Sequence, residues 1–292
     1  MVESEGTGAP ASTPGRRAAV LGQPVGHSLS PALHNAAYRA LGLHEWQYER
    51  IECGEDGLPG LVERLGPEWV GLSLTMPLKR VALTVAESVS PLAAAVGAAN
   101  TLLLDGPLRA DNTDVLGIAQ SLREAGIARV EHAVVLGAGG TAQAALAALA
   151  ELGDPSPTVL VRDVDRAAEL RATADRLGVQ PAVLGGLFET PLPEADVVLS
   201  TLPAGAADPL ASTAWRGRPV VLEVVYANWP TPFATSALRA GCAVVSGLAV
   251  LLHQAVGQVQ LMTGRPAPVG AMRAALEAEA AGAGRADEEQ PA

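Results

Sequence analysis

A single lysine, Lys79, stands out among the residues that could carry chemistry in this chain. Lysine and arginine together number 20, so the remaining nineteen are arginines. An arginine keeps its proton in a protein, whereas a lysine ammonium can exchange one when its surroundings are tuned for it. Lys79 ends the polar stretch Ser73-Leu-Thr-Met-Pro-Leu-Lys79. We therefore expect proton transfer, or recognition of a compact charge, at this residue.

Three further polar segments accompany the lysine segment, and each lies at a predicted strand end or helix start. The four segments are residues 27–31 (His-Ser-Leu-Ser-Pro), 73–79, 97–101 (Gly-Ala-Ala-Asn-Thr) and 111–114 (Asp-Asn-Thr-Asp). Strand ends and loops are the places where polar side chains converge on one cleft. We therefore expect these segments to build one binding site around Lys79.

A glycine-rich loop predicts a second binding site. The pattern G-x-G-x-x-A is fitted by Gly137, Ala138, Gly139, Gly140, Thr141 and Ala142. An apolar strand at 133–137 precedes the loop and an alanine-rich helix at 141–152 follows it, which is the context that dinucleotide binding requires. Glycine permits the tight turn and the close approach of backbone amides to a pyrophosphate. The loop therefore predicts a dinucleotide-binding site.

The strand that follows indicates which dinucleotide binds. Arg162 and Arg166 can pair with the 2′-phosphate of NADP, whereas Asp163 suits the ribose hydroxyls of NAD. Asp163 can instead cap the helix predicted at 164–177. We favour NADP and keep NAD as the less favoured cofactor. A loop beginning at Thr201, at the end of a later strand, should also lie against the cofactor.

Composition bounds the class of protein. The chain has 292 residues and a formal net charge of −11, which argues against a nucleic-acid-binding surface because phosphate backbones need clustered basic residues. Its two cysteines have no CxxC spacing, so neither a disulfide framework nor a metal site is expected. No apolar run approaches the ~18 residues of a membrane helix.

The two ends of the chain differ from the rest in composition. Residues 1–15 and 281–292 are rich in small and polar residues, and we expect both to be disordered. The first segment lacks the charged and apolar regions of a signal peptide. Because the cysteines are also expected to be reduced thiols, we predict a cytoplasmic protein.

Strands and helices alternate along the chain, which predicts an α/β protein with two domains. The first domain, residues 16–112 with 247–280, contains the lysine segment and is expected to include a helix capped by Ser30 and a hairpin around Asp105-Gly106. The second, residues 113–246, is a Rossmann-type doubly wound parallel sheet that holds the dinucleotide. The C-terminal helices are expected to return to the first domain.

Seven features follow one another in the order found in shikimate dehydrogenases, a family that this chain closely resembles. They are the four polar segments, the glycine-rich loop, Tyr226 ahead of Pro230-Thr-Pro-Phe233, and Ser246-Gly-Leu-x-x-Leu-Leu-His-Gln254. The resemblance implies an oxidoreductase of aromatic amino-acid (chorismate) biosynthesis that reversibly reduces 3-dehydroshikimate to shikimate with NADPH. It also implies an active site between a substrate domain and an NADP domain.

The resemblance further implies roles for single residues. Substrate binding is implied for Ser28, Ser30 and Tyr226 at the carboxylate, and for Thr75, Asn100 and Gln254 at the ring hydroxyls. Lys79 and Asp111 would form the catalytic pair, because the ketone oxygen needs a proton and a nearby cation as it becomes an alkoxide. Gly247, in the last motif, is assigned to the cofactor side.

Three positions depart from the family's usual pattern. Ser73 stands where asparagine is common, Gln143 where arginine is common, and Asp163 where threonine is common. The last two keep open an NAD-dependent quinate/shikimate dehydrogenase. A non-catalytic shikimate-binding sensor on the same fold is a further alternative, which the presence of a proton-transfer pair disfavours. The expected partners are small molecules, with neither nucleic acid nor membrane, and the chain would be a monomer or a homodimer.

Overall fold

A computed structural model describes residues 15–288, and its strands form two six-stranded sheets. The strands of the first sheet are β1 (Arg17–Gly22), β2 (Gln47–Glu52), β3 (Trp69–Leu74), β4 (Ser88–Val89), β5 (Thr101–Leu103) and β6 (Arg109–Asp111). They lie in the order β2-β1-β3-β5-β6-β4. β1 runs parallel to both of its neighbours, whereas β5 is antiparallel to β3 and to β6. The predicted hairpin is therefore confirmed as β5–β6.

The second sheet is parallel throughout. Its strands are β7 (Ala133–Leu136), β8 (Thr158–Leu160), β9 (Ala182–Leu184), β10 (Val197–Ser200), β11 (Val220–Glu223) and β12 (Ala243–Ser246). Their order is β12-β11-β10-β7-β8-β9, and every neighbouring pair is parallel. The chain changes direction across the sheet between β7 and β10, which is the point where doubly wound sheets bind ligands. The predicted fold class is confirmed.

Ten α-helices cover the sheets in the described part of the chain. They are α1 (Ser30–Ala40), α2 (Leu58–Glu63), α3 (Val81–Val85), α4 (Pro91–Val96), α5 (Asp114–Glu124), α6 (Gly140–Leu152), α7 (Ala168–Leu177), α8 (Pro232–Arg239), α9 (Gly247–Thr263) and α10 (Val269–Glu288). As predicted, the C-terminal helices return to the first sheet, because α9 packs on β3 and β5 and α10 packs on α1.

Burial explains the apolar strands of the second sheet. Every residue of β7, β10 and β11 is buried, as expected for strands covered by helices on both faces. Helix α6 packs against this sheet through alanines and leucines, and Leu146 and Leu149 are fully buried there. Alanine is the best helix former and loses no side-chain entropy on burial, so it suits a helix enclosed in this way.

Several predicted boundaries differ from the structure. Ser30 does not cap α1, because the helical conformation already begins at Leu29 and Ser30 is the first helical residue. The helix predicted at 164–177 is divided into a 3-10 turn (Val164–Ala167) followed by α7. The elements β4, β9, α4 and α8 were not predicted. β4, β9 and α4 have only two, three and six residues, too few to show a clear apolar period, whereas α8 has an amphipathic pattern over eight residues that the prediction missed.

The helical conformation extends into the predicted C-terminal tail. Residues 281–292 were predicted to be disordered, and α10 is assigned as far as Glu288. Residues 1–14 and 289–292 lie outside the described part of the chain, and so does most of the predicted N-terminal segment. Within the described residues, no helix combines the length and apolar character needed to cross a membrane.

Candidate active site

A pocket of about 410 Å³ opens between the two sheets and collects half of the predicted site residues, including all six predicted substrate-binding residues. Its wall contains Ser28, Ser30, Thr75, Lys79, Asn100, Thr141, Tyr226, Gly247 and Gln254. These residues come from segments on both sheets, as a cleft between two domains requires. Val20, Leu74, Val224 and Val250 add apolar surface to the same wall.

Lys79 forms an ion pair inside this pocket. Its Nζ lies 2.6 Å from Oδ2 of Asp114, and the two side chains are 24% and 12% exposed. The backbone of the lysine is fixed as well, since the amide of Ala99 donates to the Lys79 carbonyl at 2.7 Å. A short, largely buried ammonium–carboxylate contact is a charge-assisted hydrogen bond that can pass or hold a proton.

The carboxylate that meets Lys79 is therefore Asp114, and the predicted pairing with Asp111 is wrong. Asp111 ends β6 and does not line the pocket. Its Oδ1 accepts hydrogen bonds from the Ser90 hydroxyl at 2.9 Å and from the Asn112 amide at 2.8 Å. The chain turns after β6, and this turn sends the first aspartate of Asp-Asn-Thr-Asp away from the pocket and the second towards it.

Asp114 is held by its place at the start of α5. The side-chain oxygen of Asn112 accepts from the Asp114 amide at 2.9 Å and so supports the first turn. A carboxylate is favoured at a helix N-terminus, where the peptide dipoles leave partial positive charge. The pocket therefore holds a carboxylate that is stabilised from the helix side and paired on the open side.

Asn100 connects the Lys79–Asp114 pair to Gln254 on α9. Its Nδ2 lies 2.9 Å from Oδ1 of Asp114 and 3.2 Å from Oε1 of Gln254. Its Oδ1 accepts from the Thr113 amide at 2.8 Å. These contacts fix the orientation of the amide, because its oxygen faces a donor and its nitrogen faces acceptors. Asn100 therefore has one defined polar face towards the pocket.

Two glycines allow α5 and α9 to pack closely enough for these contacts. A Cβ at Gly117 would lie 2.9 Å from the Val250 carbonyl oxygen. A Cβ at Gly257 would lie 3.0–3.1 Å from side-chain carbons of Leu116 and Thr113. The Val250 carbonyl is backbone and cannot yield easily, so a larger residue at Gly117 would separate the helices, and one at Gly257 would crowd the two side chains. The close packing brings Gln254 on α9 to the base of α5.

Sequence reasoning missed Gln258, which is buried and lines the pocket. Its Oε1 accepts from the Ser73 hydroxyl at 2.8 Å, and its Nε2 donates to the Asn100 carbonyl at 3.0 Å. Tyr48 in turn donates to the Ser73 oxygen at 2.6 Å. The carbonyl of Asn100 only accepts, so it fixes which end of the Gln258 amide faces Ser73. Its spacing of four residues from Gln254 on one helix was the signal that could have revealed it.

The predicted carboxylate-binding residues lie on opposite walls. The Ser28 hydroxyl accepts from the Ser30 amide at 3.3 Å on one side. Tyr226 follows β11 on the other side, and burial raises the pKa of its phenol, which keeps the hydroxyl protonated as a donor. Hydroxyl donors on both walls suit an anionic group bound between them.

The glycine-rich loop fits a dinucleotide. Gly137 has φ +103°, and a Cβ there would lie 2.8 Å from the Thr201 hydroxyl, so the position requires glycine. A Cβ at Gly139 or Gly140 would meet no other atom within 4 Å, so the loop backbone is open. Helix α6 starts here without a side-chain cap. Uncapped amides with an open approach are what a pyrophosphate binds.

The residues predicted to distinguish NADP from NAD lie on the turn after β8. Arg162 and Arg166 are exposed and can reach a phosphate. Asp163 caps the 3-10 turn, where its Oδ1 accepts from the Asp165 amide at 3.0 Å. The alternative role given to Asp163 is thus the one that it has, which leaves the two arginines as the charged groups suited to a 2′-phosphate.

Gly247 lies at the junction between β12 of the second sheet and α9. It is the first residue of α9 and lines the pocket. A Cβ at this position would overlap the carbonyl oxygen of Val224. The glycine therefore lets the end of β12 pass close to the chain that follows β11, beside Tyr226.

Comparison with known proteins identifies the family. The shikimate dehydrogenase substrate binding domain matches residues 20–102, and the shikimate 5′-dehydrogenase C-terminal domain matches residues 247–277. The shikimate dehydrogenase (NADP(+)) of Methanothermobacter thermautotrophicus is 35% identical over 269 residues, which cover 88% of this chain and 94% of the relative. This chain belongs to the shikimate dehydrogenase family.

Solved shikimate dehydrogenases share the whole fold. The crystal structure of the Mycobacterium tuberculosis shikimate dehydrogenase is 46% identical, with a TM-score of 0.80 over 90% of this chain and 99% of that one. The Thermus thermophilus shikimate 5-dehydrogenase, in complex with NADP(H) and shikimate, is 33% identical, with a TM-score of 0.77 over 90% and 99%. The resemblance given by the motifs is therefore confirmed over nearly the whole chain.

Proposed function

We propose that this protein is an NADP-dependent shikimate dehydrogenase that reversibly reduces 3-dehydroshikimate to shikimate. The observation that carries this function is the Lys79–Asp114 pair, which lies in a pocket bounded by the glycine-rich loop at Thr141 and by the hydroxyl-bearing substrate wall. A proton-transfer pair beside a dinucleotide loop suits the interconversion of a ketone and an alcohol.

The reaction needs a proton and a place for negative charge. Bound NADPH supplies the hydride. Lys79 holds a proton at Nζ, stabilises the oxygen as it becomes negative, and donates the proton to it. Asp114 keeps the ammonium oriented, and in the reverse direction the neutral Lys79 amine takes the proton back from the alcohol. Asn100 holds Asp114 by the contact at 2.9 Å, so the pair is organised before the substrate arrives.

Asp114 takes the catalytic role first assigned to Asp111. This revision is our proposal, and it is supported by the direct contact of Asp114 with Lys79 and by the engagement of Asp111 with Ser90. The two carboxylates are three residues apart, which makes them a matched pair for experiment.

We keep the proposed assignments of substrate groups. The residues concerned are Ser28, Ser30 and Tyr226 for the carboxylate, and Thr75, Asn100 and Gln254 for the ring hydroxyls. All six line the pocket. Asn100 and Gln254 can both donate and accept, which suits a polyol.

We propose NADP as the cofactor, with Arg162 and Arg166 at the 2′-phosphate. The loop residues Gly137 to Ala142, Thr201 and Gly247 would hold the rest of the cofactor. Quinate and NAD remain the alternative pair of ligands, and the capping contact gives one oxygen of Asp163 a role that does not involve NAD. A cytoplasmic location stays a prediction that agrees with two buried free cysteines. Monomer or homodimer also stays a prediction.

A turnover assay tests the proposal. Purified protein is given shikimate or quinate with NADP or NAD, and reduced nicotinamide is followed by absorbance. We expect turnover with shikimate and NADP, and a preference over NAD of about 10-fold or more, the size of one or two charged hydrogen bonds. Tight shikimate binding without any turnover would instead favour the sensor, and faster turnover with quinate and NAD would favour the alternative enzyme.

A further inference from the structure

Helix α7, which covers the second sheet, contacts the chain directly after Lys79. Arg80, directly after Lys79, makes a two-pronged ion pair with Glu169 in the first turn of α7. Arginine and carboxylate match each other in this geometry through parallel hydrogen bonds. The pair joins the lysine segment of the first sheet to a helix of the second sheet.

The same helix holds a second segment of the first sheet. The Arg176 guanidinium donates to the Ala95 carbonyl at 2.9 Å, and the Thr173 hydroxyl donates to the Val96 carbonyl at 2.9 Å. These carbonyls end α4, where a helix leaves acceptors unpaired and favours a cation. Gly97 follows with φ +78°, and a Cβ there would collide with the Arg176 guanidinium. The left-handed φ therefore favours glycine here, and the absence of a side chain also leaves room for the guanidinium.

Both contacts lead to the catalytic pair. Beyond Gly97, the Ala99 amide donates to the Lys79 carbonyl at 2.7 Å. The next residue, Asn100, holds Asp114. Helix α7 thus contacts the chain after Lys79 through Arg80, and the chain that holds Lys79 and Asp114 through α4.

We propose that Arg80 and Glu169 are positioning residues, which keep the Lys79 ammonium in register with the cofactor-binding sheet. Neither residue lines the pocket, so they act through the backbone of the lysine segment. The inference rests on the proposed function, because it needs Lys79 to act in turnover. The inference adds a specific link. Because α7 follows directly after the turn that carries Arg166, its first turn joins that turn to Arg80, the residue after the lysine.

An exposed ion pair could equally contribute only a little stability. The pair is 48% and 58% exposed, and such pairs are often worth little. The chain offers a matched control in Arg123–Glu151, which is 38% and 51% exposed and joins α5 to α6 away from the pocket. Comparing the two pairs separates a positioning role from a general effect of losing a surface ion pair.

The experiment measures turnover at saturating cofactor for four variants. They are Arg80→Met, Glu169→Gln, the charge swap Arg80→Glu with Glu169→Arg, and the control Arg123→Met. We expect each single variant at the pair to lower kcat about two- to fivefold, the range that an exposed ion pair can transmit, with little change in the KM for shikimate. The charge swap should restore kcat, and Arg123→Met should leave it unchanged.

Three results would overturn the positioning role. They are a normal kcat in Arg80→Met, a charge swap no better than the single variants, and an equal loss in Arg123→Met. Wild-type turnover of shikimate tests the proposed function by itself. An active wild type beside an unimpaired Arg80→Met would overturn only the positioning role, whereas an inactive wild type would overturn both.

Discussion

The two walls of the pocket are built on different principles. On the substrate wall, Asn100 and Gln258 are almost fully buried and each makes several hydrogen bonds to protein groups. On the cofactor side, Gly139 and Gly140 are open and Arg162 is exposed. Catalysis needs groups fixed before the substrate arrives, whereas an anionic cofactor is bound by backbone amides and a few cations. The effect of a substitution should therefore reach neighbouring residues on the first wall, whereas the effects of substitutions on the second wall should be independent of one another.

The largest effect is expected at Lys79. Lys79→Ala should lower kcat by about 10²–10⁴-fold, the usual contribution of a general acid, because no other described side chain of the pocket carries an ammonium. The KM for shikimate should change far less. Steady-state kinetics at saturating NADP measures both constants, and an unchanged kcat would end the assignment of Lys79.

Asp114 and Asp111 test which carboxylate assists Lys79 on the first wall. Asp114→Asn should lower kcat by about 10²-fold or more, because the ammonium loses the carboxylate that orients it. Asp111→Asn, the matched control, keeps an acceptor for Ser90 and should stay within about threefold of wild type. The reverse result, a large loss only in Asp111→Asn, would restore the original pairing.

Gln258 tests whether the substrate wall behaves as a connected network. Gln258→Leu should lower the free energy of unfolding by about 1–3 kcal/mol, because Ser73 and the Asn100 carbonyl lose a buried partner. It should also raise the KM for shikimate. Gln260→Leu, on the exposed face of the same helix, is the control and should change stability by less than about 0.5 kcal/mol. Urea denaturation measures the stability of both variants, and an equal loss of stability in the two would argue against a network.

The cofactor side should respond locally. Arg162→Ala should raise the KM for NADP by about 10-fold and leave the KM for NAD and shikimate unchanged, because it removes one charged hydrogen bond to the phosphate. Asp163→Asn keeps a capping oxygen and should not alter cofactor preference. A marked gain of NADP over NAD in Asp163→Asn would show that the acid contacts the ribose after all.

The smallest effect is expected at Glu124, which does not line the pocket. Burial raises the pKa of this carboxyl, but hydrogen bonds from His253 and Arg273 outweigh burial and hold the pKa below its usual 4.5. A lowered folded-state pKa means that the stabilisation is present above pH 4.5 and is lost as the pH falls further. Wild type should therefore exceed Glu124→Gln in urea midpoint at pH 6, and the difference should shrink towards pH 3.5. A difference that grows on acidification would contradict this.

The sequence predicted the fold better than it predicted individual contacts. Apolar strands such as β7 and β10, and the glycine loop between β7 and α6, have strong local patterns that a packed parallel sheet requires. Asp111 and Asp114 differ only in whether they precede or follow a turn, and sequence spacing does not determine which one reaches Lys79. Gln258 depended on the approach of α9 to β3, which is a long-range contact. Elements such as β9 have too few residues to show a periodic pattern of apolar side chains.

The ion pair of Lys79 gives the protein a built-in reporter. Since the chain holds one lysine, incorporation of lysine labelled with nitrogen-15 at Nζ would yield a single ammonium resonance. That resonance would come from the pocket itself, 2.6 Å from a carboxylate. Spectroscopists could then titrate one proton, and follow each ligand entering the cleft, without assigning the rest of the spectrum.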